Sequence, residues 1–155
     1  MKVGIGQDSH KIDYNNQDKK LILAGIEFEE KFSLLANSDG DVVLHAITNA
    51  ISGVTSKNIL GEISDIMCNE KGIKNSEEYL KEAIKYLEYP INHISISIEC
   101  KQPKISQKIE QMRENIARIL NIDKNCVGIT ATSGEGLTEF GKGNGINVFA
   151  CVTVG

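Results

Sequence analysis

The chain has no tryptophan, only two prolines and three histidines, and few aromatic residues of any kind, 5% in all. With so little proline, few positions are barred from regular structure by a locked φ or a missing N–H. No apolar run approaches the roughly 20 residues that cross a bilayer. The first residues lead into a strand-like stretch and show no charged segment followed by an apolar one, so no secretory signal is expected. These absences predict a cytoplasmic protein, or a stromal one if it comes from a plastid-bearing cell that removes a transit peptide. Basic residues are outnumbered, 17 Lys and Arg against 21 Asp and Glu, for a formal net charge of −4. Such a chain has no general attraction for nucleic acid, and a phosphate ligand must be held by a local site or a metal ion. The cysteines, Cys68, Cys100, Cys126 and Cys151, form no C-x-x-C pair. That excludes a zinc ribbon or dithiol redox motif and suits scattered reduced thiols. There is no internal repeat and no low-complexity tract.

The 155 residues are enough for one domain, 1–155, to bury a core without disulfides. Residues 2–9 and 20–29 read as strands, joined by a polar loop, YNNQDKK, expected to be mobile. Residues 38–54 read as a helix capped by Ser38, with Asp41 three residues on and Val43, Ile47, Ala50 and Val54 at helical spacing. Residues 55–75 look irregular, a long functional loop. Residues 76–88 form an amphipathic helix with Tyr79, Leu80, Ala83, Ile84 and Leu87 as its stripe. Residues 93–100 alternate with the period of a half-buried strand. Ile105 to Asn121 is a further helix, and 126–133 and 145–154 are strands either side of a glycine-rich turn. The order β-β-α-α-β-α-β-β predicts an α+β fold, a mixed sheet with helices packed on one face.

Asp8 and His10 stand at the end of the first strand, where residues i and i+2 share a face and can reach one metal ion. His45 lies in an otherwise apolar stretch of helix, with Asp41 and Asn49 four residues to either side as one polar stripe. Two imidazoles and a carboxylate leave a tetrahedral zinc with one open position, the arrangement used in catalysis. Asp41 is placed to accept from an imidazole N–H. A D-x-H pair alone does not specify a metal, and a helical histidine is more often packed or solvated. Asp39 and Asp41 could serve only as charges at a helix N-terminus, and His93, at the mouth of a strand, is assigned to the ordinary packed or solvated class.

The tract LLANSDGDVVLHAITNAISG (34–53), following GIGQDSH (4–10), resembles the 2-C-methyl-D-erythritol 2,4-cyclodiphosphate synthase family of non-mevalonate isoprenoid biosynthesis. The family pattern G-x-G-x-D-x-H runs from Gly4 to His10, and S-D-G-D-V-x-x-H from Ser38 to His45. The C-terminal third adds QPK (102–104), QMR (111–113), T-x-x-E from Thr132 to Glu135 and a glycine-rich loop before GI (145–146), so the resemblance runs nearly end to end. It implies a lyase that converts 4-diphosphocytidyl-2-C-methyl-D-erythritol 2-phosphate to the 2,4-cyclodiphosphate with release of CMP. It implies zinc on Asp8, His10 and His45, and a second divalent ion, Mg2+ or Mn2+, on Glu135. Asp8, Ser9, His10, Asn37 and Ser38 would meet the substrate from one side. Thr132, Ser133 and Lys142 would meet phosphate; the lesser alternative for Thr132 and Ser133 is to cap a strand end, and Lys142 could equally be solvated. Cys100, Gln102, Pro103, Lys104, Ile105 and Ser106 would form a cytosine pocket that reads the base largely through backbone groups. Asn37, Ser133 and Glu135 would be the catalytic set. The resemblance further implies a homotrimer whose sites lie between protomers, with no nucleic-acid or membrane partner.

The chain departs from the family at four places. Asn37 replaces a usual His, Asn49 a common Asp, Ile59 the Asp expected at the ribose, and Lys142 an Arg. An amide at position 37 can still donate to phosphate but carries no charge. The metal set is complete while the substrate-facing rim is altered. The alternative reading is therefore a weakly active or inactive relative that binds cytidine nucleotides or isoprenoid diphosphates beside its zinc.

Overall fold

The computed structural model describes residues 1–155. Five strands form a mixed sheet, β1 (Lys2–Asp13), β4 (Ser33–Leu34), β5 (Ile91–Glu99), β6 (Val127–Thr132) and β7 (Gly145–Val154). Their order is β4-β1-β7-β5-β6, with β5 and β6 parallel and the other neighbours antiparallel. A separate hairpin is made by β2 (Leu21–Leu23) and β3 (Ile26–Phe28). Four helices complete the chain, α1 (Val42–Thr55), α2 (Glu62–Asn69), α3 (Ser76–Ile84) and α4 (Ile109–Leu120).

The α+β architecture is as expected, and the element bounds differ in instructive ways. The predicted strand 20–29 is the β2–β3 hairpin, broken where Ala24 and Gly25 both take positive φ, 55° and 75°. The helix predicted over 38–54 starts at Val42, because Asp41 rather than Ser38 caps it, accepting from Leu44 N at 3.1 Å. The stretch 55–75 is not irregular throughout. It holds α2, a helix of eight residues whose short apolar stripe, Ile63, Ile66 and Met67, gives too few turns to stand out from a loop. The helix from 76 stops at Ile84, not residue 88. That from Ile105 opens as a 3-10 turn over Ser106–Lys108 before α4. The strands expected over 93–100 and 126–133 run from Ile91 to Glu99 and from Val127 to Thr132. The loop YNNQDKK is tied down at both ends: Tyr14 donates to Gly143 O at 2.6 Å, and Lys19 Nζ to Leu34 O at 2.9 Å.

One face of the sheet is buried under α1, α3 and α4. Ile94, Ile96 and Ile98 from β5 and Ile146, Val148, Ala150 and Val152 from β7 point into one continuous core with Val43, Ile47, Ile51, Leu80, Met112 and Ile116. The helix α1 lies unusually close to β1, and glycine is the reason. A Cβ on Gly4 would sit 2.0 Å from Ala50 O, and one on Gly6 2.0 Å from Ala46 O. The opposite face of the sheet has no helix on it. There Val3 is 57% exposed, Ile5 70% and Phe149 51%.

Candidate active site

Because Gly4, Gly6, Asp8 and His10 share one face of β1, the contact that seats α1 on the two glycines also brings its first turns level with Asp8 and His10. His45 meets them there. Asp8 Oδ2 lies 3.1 Å from His10 Nε2 and 3.1 Å from His45 Nδ1, and the two imidazole nitrogens are 3.2 Å apart. The rings meet edge to face at 77°. His45 is buried, while Asp8 and His10 are half-buried at the mouth. Burial works against the Asp8 charge, but hydrogen bonding and charge from His10 and His45 outweigh it and lower its pKa from 3.8 to about 2.

This donor set suits a divalent metal. Zinc–nitrogen bonds of about 2.0–2.1 Å place tetrahedral donors about 3.3–3.4 Å apart, close to the 3.1–3.2 Å triangle seen here. Among the histidine, cysteine and carboxylate side chains, these three alone gather in this way.

Further contacts hold the triad from behind. His45 Nε2 lies 2.7 Å from Ser76 Oγ at the start of α3. The Ser76 hydroxyl also hydrogen-bonds Asp39 Oδ1. Asp39 is fixed in turn, accepting from Asp41 N and Ser76 N, each at 3.0 Å. The expectation that Asp41 accepts from an imidazole is therefore corrected. Its two oxygens are taken by backbone N–H groups, Ala24 at 2.8 Å, Gly25 at 2.6 Å and Leu44 at 3.1 Å. Burial and the neighbouring Asp39 charge raise the Asp41 pKa to about 6, against the pull of those three donors. The polar stripe of Asp41, His45 and Asn49 divides its roles, since Asp41 caps the helix and Asn49 donates to Gln7 O at 3.1 Å. Sequence reasoning missed Ser76, which lies 31 residues beyond His45 with no local spacing to connect them.

A cavity of about 330 Å³ opens beside the triad, lined by Asp8, His10, His45, Asn37, Ser38, Leu60, Ser64, Asp65, Cys68 and Tyr79. Asn37 and Ser38 thus line the same cavity as the triad. Ser38 Oγ accepts from Gly40 N at 3.2 Å, which leaves its hydroxyl proton free. Ile59 is wholly buried and presents nothing to a ligand, whereas α2, unseen in the sequence, supplies Ser64, Asp65 and Cys68. Ser9 points to the other side of β1 and lines a wider cavity of about 520 Å³ with His10, Lys11, Glu139, Phe140, Asn144 and Gly145, so His10 borders both cavities.

The remaining predicted residues lie elsewhere. Gln102 to Ser106 follow β5, where Cys100 N donates to Thr132 O at 3.1 Å and Lys101 N to Phe140 O at 3.1 Å. The Cys100 side chain is internal, and burial pushes its thiol up to about 12. Pro103 and Ile105 are also buried, while Gln102, Lys104 and Ser106 are exposed. Thr132 Oγ1 accepts from Gly134 N at 3.3 Å and Ser133 Oγ from Glu135 N at 3.4 Å, so both hydroxyls brace the turn. Glu135 holds a left-handed φ of 48° at the tip of that turn. Lys142 is exposed, 3.4 Å from Glu139 Oε1. No hydrogen bond or ion pair joins Thr132, Ser133 or Glu135 to the triad within one protomer. On the sheet the register runs from Asp8 to Val148, to Ile98, to Ala131, three strand spacings, and beyond β6 the turn at Gly134 lies against Gly141.

The YgbB family model matches residues 1–155. The 2-C-methyl-D-erythritol 2,4-cyclodiphosphate synthase of Chlamydia caviae is 51% identical over 155 residues, 99% of this chain and 88% of that protein. Among solved structures, the bifunctional IspDF of Campylobacter jejuni matches with a TM-score of 0.86 at 31% identity, over 97% of this chain and 41% of that longer one. The IspF of Plasmodium falciparum, in complex with CDP, matches with a TM-score of 0.79 at 30% identity, over 97% and 92% of the two chains. With that match along its whole length and a relative sharing half its residues, the chain belongs to the YgbB family, that of the 2-C-methyl-D-erythritol 2,4-cyclodiphosphate synthases.

Proposed function

We propose that the protein closes the cyclic diphosphate of 2-C-methyl-D-erythritol with zinc on Asp8, His10 and His45, and that its complete site is built between copies in a homotrimer. The substrate is 4-diphosphocytidyl-2-C-methyl-D-erythritol 2-phosphate. Its 2-phosphate oxygen attacks the β-phosphorus, the bond from that phosphorus to the bridging oxygen breaks, and CMP leaves with the bridging oxygen. The attacking group is already an anion, so no protein base is needed, and the barrier is charge repulsion and loose geometry. When bound, the zinc and a second divalent ion neutralise phosphate charge and align the groups. The triad at 3.1–3.2 Å is the observation that carries this reading.

The chain's own residues divide the work. Asn37 and Ser38, in the same cavity as the triad, donate to phosphate oxygens. Glu135 holds the second ion, Mg2+ or Mn2+, for which one carboxylate with waters and phosphate oxygens is suitable. Thr132 and Ser133 turn from bracing their loop to binding phosphate, with Lys142 nearby on the surface. The segment from Cys100 to Ser106 takes the cytosine through its backbone. The distance of β6 from β1 in the sheet supports a site whose second cluster comes from a neighbouring copy. The uncovered sheet face, with Val3, Ile5 and Phe149 half or more exposed, is suited to burial against such copies.

The test is CMP release from the diphosphocytidyl substrate with Mg2+ or Mn2+, with the cyclic diphosphate as the other product. Protein that binds CMP or CDP calorimetrically but releases no CMP is a binding relative and not a cyclase.

A further inference from the structure

We propose that Ser76, itself oriented by Asp39, is a positioning residue that fixes His45 in the tautomer protonated on Nε2 and so presents a bare Nδ1 to the metal. The proposal rests on the reading of Asp8, His10 and His45 as metal ligands and adds what prepares one of them.

The direction of the relay follows from donor and acceptor capacity. An ionised carboxylate only accepts. Asp39 already accepts from the backbone N–H groups of Asp41 and Ser76, which suit its charged form. The Ser76 hydroxyl proton must therefore point at Asp39 Oδ1. A hydroxyl has one proton, so toward His45 the Ser76 oxygen can only accept. The 2.7 Å contact to His45 Nε2 is then an N–H donating to that oxygen, and a neutral imidazole protonated at Nε2 has its lone pair on Nδ1. That lone pair faces Asp8 Oδ2 at 3.1 Å and His10 Nε2 at 3.2 Å. Facing a carboxylate oxygen and a second imidazole, Nδ1 is where a cation is favoured: a proton in the metal-free pocket, from which His45 donates to Asp8, and a metal ion when one is bound. Because Ser76 already holds the other proton on Nε2, the ring needs no change of tautomer to take a metal on Nδ1.

Burial gives the arrangement its force. Ser76 is 0% exposed and His45 7%, so water cannot easily replace either partner. The Ser76 backbone is held separately, through its N–H to Asp39 Oδ2. Removing the hydroxyl alone therefore leaves the start of α3 anchored, and Ser76→Ala should keep the fold.

The experiment compares wild type, Ser76→Ala and Ser76→Thr, each loaded with zinc. Chelator competition gives the zinc affinity, and 15N spectra of the imidazoles report the His45 tautomer. Circular dichroism checks the fold. Wild type should show its proton on Nε2. Ser76→Ala should bind zinc about 10–100-fold more weakly, the usual loss when such a support is removed. Ser76→Thr keeps the hydroxyl and should recover most of the affinity. Wild type that binds zinc, with a folded Ser76→Ala protein that binds it equally well, overturns the relay alone. Wild type that takes up no zinc overturns the metal reading and the relay with it.

Discussion

A site divided between copies can be repaired by mixing two broken proteins. On the proposed reading His45→Ala removes a zinc ligand and Glu135→Gln the second ion's carboxylate, so each variant alone should release almost no CMP. In one chain Asp8 and Ala131, the β6 residue before the Thr132–Glu135 turn, are separated by the register Asp8–Val148–Ile98–Ala131. At about 4.7–4.9 Å per strand spacing, that is about 14 Å of lateral distance. Two metal ions acting on one displacement stand about 3.5–4 Å apart. On the proposed reading each site therefore takes its triad from one chain and Glu135 from the next. If the variants are denatured together in equal amounts and refolded with zinc, the subunits mix at random. In a closed ring with head-to-tail contacts, about one site in four then receives an intact half from each side. CMP release should recover to roughly a quarter of the wild-type rate per site, while each variant refolded alone stays inactive. A mixture no more active than its parents, from subunits that demonstrably exchange, refutes the divided site.

Gly6→Ala would put a methyl group 2.0 Å from Ala46 O and 2.3 Å from Ala50 N, backbone atoms that yield only if α1 moves. Overpacking of this kind costs about 1–3 kcal/mol, and because His45 rides on α1, zinc affinity should fall with stability; urea unfolding and chelator competition that both match wild type would refute the tight seat. In zinc-free protein, Asp8 carries a pKa depressed from 3.8 to about 2. Its stabilising contribution is present above its unfolded pKa and is lost as pH falls through the folded one. The stability gap between wild type and Asp8→Asn should therefore narrow between about pH 5 and pH 2, and a urea-midpoint gap that stays constant over that range argues against the depressed value.

The parts of the site that were legible in the sequence are those whose geometry is local. Asp8 and His10 are two residues apart on a strand, and a strand must point them the same way. His45 announces itself as a polar residue in an apolar helix. The misread parts depend on contacts from far along the chain. Asp41 looks like a partner for an imidazole four residues on, yet the β2–β3 hairpin comes within reach and claims its oxygens through Ala24 and Gly25. The turn in that hairpin was hidden because its first residue is Ala24, which rarely takes the positive φ it has here. The helix α2 was missed because it is only eight residues long, and its short stripe, Ile63, Ile66 and Met67, sits among the polar residues of what reads as a loop. Ser76 reads as an ordinary helix-start residue until α3 is packed against α1.

The two halves of the Gly4–His10 motif also act as one device. Metal affinity requires that three donors stay within a few tenths of an ångström of their places, and these come from two elements, β1 and α1. Side chains alone would let a helix ride over a strand with some freedom. Here the contact is backbone against backbone, because Gly4 and Gly6 have nothing to interpose between the strand and the carbonyls of Ala50 and Ala46. Ala46 is the residue next to His45, so the tightest contact between the two elements lies one residue from the helical ligand. On the strand, Gly6 is one same-face step from Asp8 and two from His10. The position of α1 is set where the donors need it set, and Asp39 and Ser76 then settle the ring of His45 from the opposite side.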